Sequence, residues 1–345
     1  MNTVAIVGAG IGGIAAARTL RRAGVEIEIF DKGRGLGGRV ATRRDGLLQF
    51  DHGAQYFTVR DPGFDAAIAP LRAQGLVQVW NGPFRTLLNG SFGSDPCEHA
   101  VREVAVPRMS MLPRQLARDL VQDLVRGVVV QCRVRVERLQ RGGDGWWLGG
   151  RDSTGQALVR GPFSAVLLAV PVAQAHQLLT QSCLFGLAAA AAFTLRDSLR
   201  PCLCAMIAFE RVVPEAEGGL FVTDEALAFA AHDGGKPGRN GTPNYVLQAT
   251  PEWSLQRLES DPESSARELV AAFERALAVP LPAMVHCKGH RWRYAVASGT
   301  CVPDAAVVDL EHGWALASDA LAGGLVEGGF RSGVAAAEGL LRAVQ

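Results

Sequence analysis

Lysine is nearly absent: Lys32, Lys236 and Lys288 are the only ones among 35 basic residues in a chain of 345. The arginine surplus reads as genome base composition, so a single arginine carries little functional weight. A formal net charge of +1 and the lack of any basic run with interleaved aromatics leave no field to draw in nucleic acid or an anionic membrane. Long apolar runs are missing too. Four glycines interrupt the stretch Val4 to Ala17, and no positive segment precedes it. The alanine-rich run Cys183 to Leu195 falls short of the roughly 20 residues that a bilayer span needs. The seven cysteines are scattered, without the CxxC pairs of a zinc site or redox dithiol, and read as reduced thiols of a cytoplasmic protein. No Ser/His/Asp order suggests a triad. His286 and His290 lie in a segment of strand character, about 13 Å apart along it, which argues against a shared metal. No metal site is expected, and nothing sets the oligomeric state.

What is present suffices for an ordinary globular core in about two domains, at 48% hydrophobic and 20% charged residues. Residues 3–7 form a short apolar run ending at Gly8, residues 12–23 have helical composition, and residues 26–30 read as a second buried strand. This is one βαβ unit opening a parallel sheet. Further on, residues 113–126 read as a helix, 128–138 as a strand, 146–148 as part of another and 165–170 as a buried strand stopped by Pro171. Between 202 and 250 come strands without intervening helices (202–210, 220–223, 245–250), the pattern of an antiparallel sheet. Residues 262–278 are helical, and 313–319 form a last buried strand before a glycine-rich turn and a final helix. The expected class is α/β: a Rossmann-like dinucleotide domain built from residues 1–60, 100–175 and 285–345, with an inserted α+β substrate domain from 61–99 and 176–284.

Gly8-Ala9-Gly10-Ile11-Gly12-Gly13 fits GxGxxG between that first strand and helix. Gly8 permits the tight turn, Gly10 lets a pyrophosphate approach the backbone, and Gly13 lets helix and strand pack closely. The N–H groups of Ile11 and Gly12 then point at the phosphates, helped by the helix dipole. Asp31 follows about 20 residues on, where a carboxylate accepts from a ribose diol. A second glycine loop, Lys32-Gly33-Arg34-Gly35-Leu36-Gly37-Gly38-Arg39, comes directly after it. Such a loop suits a long dinucleotide stretched across the domain, FAD rather than NAD; the alternative is a solvated surface loop.

Four further stretches carry a resemblance: Asp51-His52-Gly53-Ala54-Gln55-Tyr56-Phe57, Pro107-Arg108-Met109-Ser110, His290-Arg291-Trp292-Arg293-Tyr294-Ala295, and Val326-Glu327-Gly328-Gly329-Phe330-Arg331-Ser332-Gly333. With the glycine loops, they resemble the two-dinucleotide-binding flavoproteins of the amine oxidase superfamily, and within it the bacterial renalase-like branch. The resemblance implies that Val134 holds the adenine through its backbone and that Arg39 and Gln55 lie along the ribityl chain and ring. It also implies that Asp319 accepts from a ribityl hydroxyl, and that Glu327 and Gly328 begin a helix facing the flavin pyrimidine edge. The FAD is expected to be non-covalent, since no cysteine falls in a segment that matches flavin attachment.

The activity implied is oxidation of a 2- or 6-dihydronicotinamide isomer of NAD(P) by hydride transfer, with oxygen reoxidising the flavin. Such a substrate needs stacking and positioning more than a nucleophile, and Trp292, Phe330, Phe229 and Gln248 are the residues this points to. Each also reads as ordinary core or as a satisfied polar group. Two positions depart from the branch: Ser318 stands where it has Gly, and Gln248 where it has His. A Gln cannot titrate near neutral pH, which opens the question of substrate. The alternatives are a flavin amine oxidase or desaturase on the same frame and, in another class, a flavin-free binding protein like the GDP-dissociation inhibitors of small GTPases.

Overall fold

A computed structural model describes residues 3–118, 120, 128–186, 199–297 and 305–344. The first strand, Thr3–Val7, runs parallel between Ala165–Leu168 and Glu26–Asp31, and the sheet extends outward to Val128–Cys132 on one side. On the other side come Trp314–Leu316 and then Val307–Asp309, which alone is antiparallel. The four residues Val4 to Val7 are all buried, as expected of a strand covered on both faces. Helix Ile11–Arg22 follows the glycine turn and packs against the last helix, Leu325–Val344.

The second large sheet has seven strands, in the order Met284–Ala297, Leu199–Phe209, Asn244–Ala249, Leu227–His232, Gly219–Val222, Phe84–Leu88, Ser91–Gly93. Side chains alternate across it. Leu203, Ala205, Ile207 and Phe209 join Leu269 and Phe273 of helix Pro262–Leu277 in one core. Cys202, Cys204, Met206 and Ala208 therefore face the other way, toward the segment around Phe50. A three-stranded antiparallel meander, Arg135–Gly142, Gly145–Arg151 and Ala157–Phe163, precedes strand Ala165–Leu168.

Several sequence expectations shift. Residues 285–297, placed above with the dinucleotide domain, form the edge strand of the seven-stranded sheet, paired along its length with Leu199–Phe209. Helix Pro62–Ala73, placed with the substrate domain, buries Phe64, Ile68 and Leu71 in the core that also holds Ile14 and Leu20 of the first helix. The strand expected over 128–138 breaks at Arg133, whose left-handed backbone (φ 62°) lets its N–H reach the Gly33 carbonyl at 2.8 Å. Of the helix expected over 113–126, Met111–Leu116 is seen and residues 121–126 lie outside the described residues, as does 187–195 of the alanine-rich run. Among the described residues no helix is long and apolar enough to cross a membrane.

Candidate active site

The glycines of the first turn are each needed for a different contact. Gly8 has φ +109°, and a Cβ there would lie 2.3 Å from the Ala169 carbonyl oxygen; one on Gly13 would lie 1.9 Å from the Gly8 carbonyl oxygen. Gly12 and Gly333 bring the first and last helices into backbone contact, since a Cβ on Gly333 would meet the Gly12 oxygen at 2.1 Å. Gly10 differs: nothing lies within 4 Å of its Cβ position, and as N-cap of the helix it offers no side-chain cap to the N–H groups that follow. An anion has open access to the helix N-terminus there. The second glycine loop borders the same opening, for Gly37 donates to the Ala9 carbonyl at 2.9 Å and a Cβ on Gly38 would meet the Gly10 Cα at 3.3 Å. The Ile11 side chain is buried in the core.

Asp31 ties the two loops together, accepting from the Ala9 N–H and the Gly33 N–H, each at 2.6 Å. Lys32 reaches away to the Gln174 side chain at 3.0 Å, and burial lowers its pKa. Val134, after the Arg133 kink, spends its N–H on the Asp31 carbonyl at 2.9 Å, so its carbonyl is the backbone group left to offer an adenine. Arg39 and Asp319 form a two-pronged ion pair at 2.9 and 2.5 Å, and Arg39 also donates to the Ala295 carbonyl at 3.2 Å. Glu327 faces the segment entering helix Pro62–Ala73, accepting from the N–H groups of Arg60 and Asp61 at 2.5 and 2.9 Å. Gly328 packs closely on the preceding turn, with the Ala322 oxygen 2.8 Å from its Cβ position.

Across the seven-stranded sheet, His290, Cys204, Gln248, Phe229 and Phe221 are successive neighbours in register, so all five share one face. Trp292 lies on the same face, opposite Cys202. Over this row runs the loop Asp51 to Phe57. Gln248 donates to the Gly53 carbonyl at 2.8 Å, Trp292 donates to the His52 carbonyl at 2.8 Å, and the Cys204 thiol reaches that same carbonyl at 3.5 Å. His52, His290 and Trp292 form a ring cluster with centroids 4.5–5.2 Å apart. Burial drives both imidazoles down to about 4, helped at His52 by the neighbouring His290 and at His290 by Arg43. Phe229 meets Tyr56 and Phe221 edge-on. Phe330 does not join these residues: its ring packs on Phe64 at 5.1 Å, within the core of the first sheet.

Gln55 is turned inward. Its amide donates to the carbonyls of Asp51 and Gly53 and accepts from Lys236 at 3.0 Å, which leaves the side chain no free hydrogen to lay along a ribityl chain. Lys236, wholly buried, also pairs with Asp233 at 2.7 Å, and Arg239 pairs with Asp51. Burial pushes the Asp51 carboxyl up, but Lys236 and Arg239 outweigh it and hold it below its usual range; the Asp233 carboxyl is left raised by burial. Asp51 further accepts from the Thr42 hydroxyl and the Met109 N–H. His52, Cys204 and this ionic cluster were not among the expected site residues. Lys236, one of only three lysines, was the available signal.

Two family models account for most of the chain. The NAD(P)-binding Rossmann-like domain matches residues 6–66, and the flavin containing amine oxidoreductase family matches residues 96–341, well over half the sequence. The chain belongs to the flavin-containing amine oxidoreductases. Among curated relatives of this oxidoreductase is the aurachin C monooxygenase/isomerase of Stigmatella aurantiaca, 29% identical over 163 residues. That match takes in 46% of the oxidoreductase and only 39% of the relative. A crystal structure from Exiguobacterium sp. 255-15, described as a protoporphyrinogen oxidase, shares the fold, with a TM-score of 0.72 over 100% of this chain and 98% of the other at 16% identity.

The oxidoreductase is thus an FAD-dependent enzyme, and its own residues fit the cofactor. The open approach at Gly10, the uncapped helix N-terminus and the second loop laid alongside make a cradle that a Cβ would fill. Bound flavin supplies a two-electron acceptor.

Proposed function

We propose that this flavoenzyme oxidises 2- or 6-dihydronicotinamide isomers of NAD(P), as a renalase-like oxidase using oxygen to reoxidise non-covalent FAD. The observation that carries this is the character of the sheet face. Its row of His290, Cys204, Gln248, Phe229 and Phe221, with Trp292 beside it, contains no carboxylate and no lysine. Both histidines near it stay neutral above about pH 5. An amine substrate, a cation near neutral pH, must lose a proton before it can be oxidised; a dihydronicotinamide need not, because its ring nitrogen expels the hydride and aromaticity drives the step.

In this proposal Trp292, Phe229 and Gln248 form the wall against which the substrate ring lies, with Gln248 fixing the Gly53 loop in place. Toward the cofactor, Ile11, Gly12 and their neighbours hold the pyrophosphate, Asp31 the ribose, the Val134 carbonyl the adenine amine, and Arg39 with Asp319 the ribityl chain.

Anaerobic mixing of the holoenzyme with 2- and 6-dihydronicotinamide isomers and with a panel of primary and secondary amines tests it. The expected result is bleaching of the flavin by a dihydronicotinamide isomer, at a rate that varies little between about pH 6 and 8. Bleaching by amines alone, faster as pH rises and the ammonium deprotonates, would install the amine oxidase alternative.

A further inference from the structure

The second glycine loop leads from Asp31 to the open helix N-terminus at Gly10, and cations line its course. At its start two backbone bonds lace it to the kink that follows strand Val128–Cys132: Arg133 donates to the Gly33 carbonyl at 2.8 Å, and Val134 to the Asp31 carbonyl at 2.9 Å. Lys32 and Arg34 therefore stand beside Arg133 and Arg135. Burial lowers the Lys32 pKa, and the charge of Arg135 lowers it further. Midway along the loop, the Arg114 guanidinium comes within 3.7 Å of the Cβ position of Gly35. At the far end Gly37 and Gly38 meet Ala9 and Gly10.

All five of these side chains are exposed. Lys32 donates to the neutral Gln174 amide, and among the described residues no hydrogen bond or ion pair engages the guanidinium of Arg34, Arg114, Arg133 or Arg135. The nearby carboxylates do not cancel them. Glu28 and Glu137 are matched by Arg160 and Arg151, at 3.8 and 3.5 Å. Asp31 spends its oxygens on the N–H groups of Ala9 and Gly33. Asp152, which shares a cavity wall with Val134, accepts from Thr154 and Gln156 within its own turn. Exposed arginines elsewhere face carboxylates, as Arg200 does Glu252 and Arg293 does Glu259. Here the charge is left over, and the loop that carries it ends where the uncapped helix adds its own positive end.

Exposed charges hold a ligand weakly, because water and salt screen them, yet their field reaches about 10 Å at 0.1 M salt. A track of one sign beside a cleft acts on the encounter instead, raising association rates by roughly 10- to 1000-fold. We propose that Arg34, Arg114, Arg133 and Arg135, with Lys32, form an entry track for the dinucleotide cofactor. It draws the pyrophosphate dianion onto the loop and toward Gly10, and it sets how fast flavin loads rather than how tightly flavin is held. The inference rests on the FAD dependence of the enzyme and is independent of which substrate is oxidised.

Rapid mixing of the flavin-free chain with FAD, followed by flavin fluorescence, gives the association rate, and dilution of the holoenzyme gives the dissociation rate. Wild-type association should slow about tenfold as ionic strength rises from about 0.02 to 0.5 M. The double variant Arg34→Gln/Arg135→Gln should load several-fold more slowly at low salt and converge on wild type at high salt, with dissociation unchanged. Arg211→Gln/Arg267→Gln removes the same charge from two exposed positions, one just after strand Leu199–Phe209 and one in helix Pro262–Leu277, and should load as wild type does. Thermal midpoints of the flavin-free variants, expected to match wild type, confirm that each is folded. Equal low-salt association in wild type and Arg34→Gln/Arg135→Gln overturns the track. So does equal slowing in both double variants, which would make net charge the cause, and so does faster dissociation at unchanged association, which would make these residues holders of the bound cofactor.

Discussion

Trp292 donates its indole N–H to the carbonyl oxygen of His52 at 2.8 Å and stacks on the imidazole of the same residue, ring centres 5.2 Å apart. One side chain thereby fixes both the backbone and the ring of a residue 240 positions away. Trp292→Phe keeps a ring for the stack and removes the donor. The expected cost is about 1–3 kcal/mol, the range for a lost hydrogen bond at a buried carbonyl, read by urea unfolding monitored by circular dichroism. Unchanged stability would mean that the Cys204 thiol alone satisfies that carbonyl.

Two glycine substitutions should part folding from cofactor binding. Gly13→Ala forces a Cβ to within 1.9 Å of the Gly8 oxygen and should lower the thermal midpoint of the flavin-free protein. Gly10→Ala meets nothing within 4 Å, so the flavin-free protein should melt as wild type does while losing flavin during gel filtration. Equal flavin retention in Gly10→Ala and wild type would place the pyrophosphate elsewhere.

Asp31→Ala removes two backbone hydrogen bonds at 2.6 Å as well as the expected ribose contact. At about 1.5–3 kcal/mol for a charged hydrogen bond, flavin affinity should fall at least tenfold. The ratio of flavin to protein absorbance after serial dilution reports it, and a ratio matching wild type would show that the ribose is held by other groups.

Acid should loosen the protein before its carboxylates titrate. His52 and His290 have folded pKa values of about 4, below the usual 6.5, so between those values the unfolded chain binds more protons. Stability is then full above about pH 6.5 and declines as pH falls toward 4. His52→Gln should flatten this slope in thermal melts taken from pH 7 to 4.5; an equally steep slope would assign it to His290, His232 and His286, whose pKa values are also lowered.

Lys236 neutralises two buried carboxylates, Asp51 and Asp233, and holds Gln55. Lys236→Met leaves those charges with Arg239 alone and should destabilise by about 3–5 kcal/mol. Pairing it with Asp233→Asn should recover part of the loss, which urea unfolding of single and double variants measures.

The first βαβ unit, the antiparallel strands and the closing helix were legible because each is written locally, in glycine spacing and in apolar period. The kink at Arg133 was not, since arginine gives no sign of a left-handed backbone, and the demand for it comes from the Gly33 carbonyl a hundred residues earlier. The site divides the same way. Gly8, Gly10 and Asp31 announce themselves within one stretch, whereas the His52, His290 and Trp292 cluster exists only through strand register and a loop crossing. Gln55 misled for a related reason: its role was inferred from a shared motif, while Lys236, distant in sequence, draws its amide inward.

The backbone contact between Gly12 and Gly333 bears on how the molecule is made. A ribosome delivers residues 1–40, with both phosphate-facing loops, long before the helix Leu325–Val344 that braces them. Until that helix has emerged, the nascent chain carries a half-built nucleotide cradle with one wall missing. Flavin loading is thereby deferred until that helix has formed, and a chain lacking it should be colourless even though every residue of its glycine loops is intact.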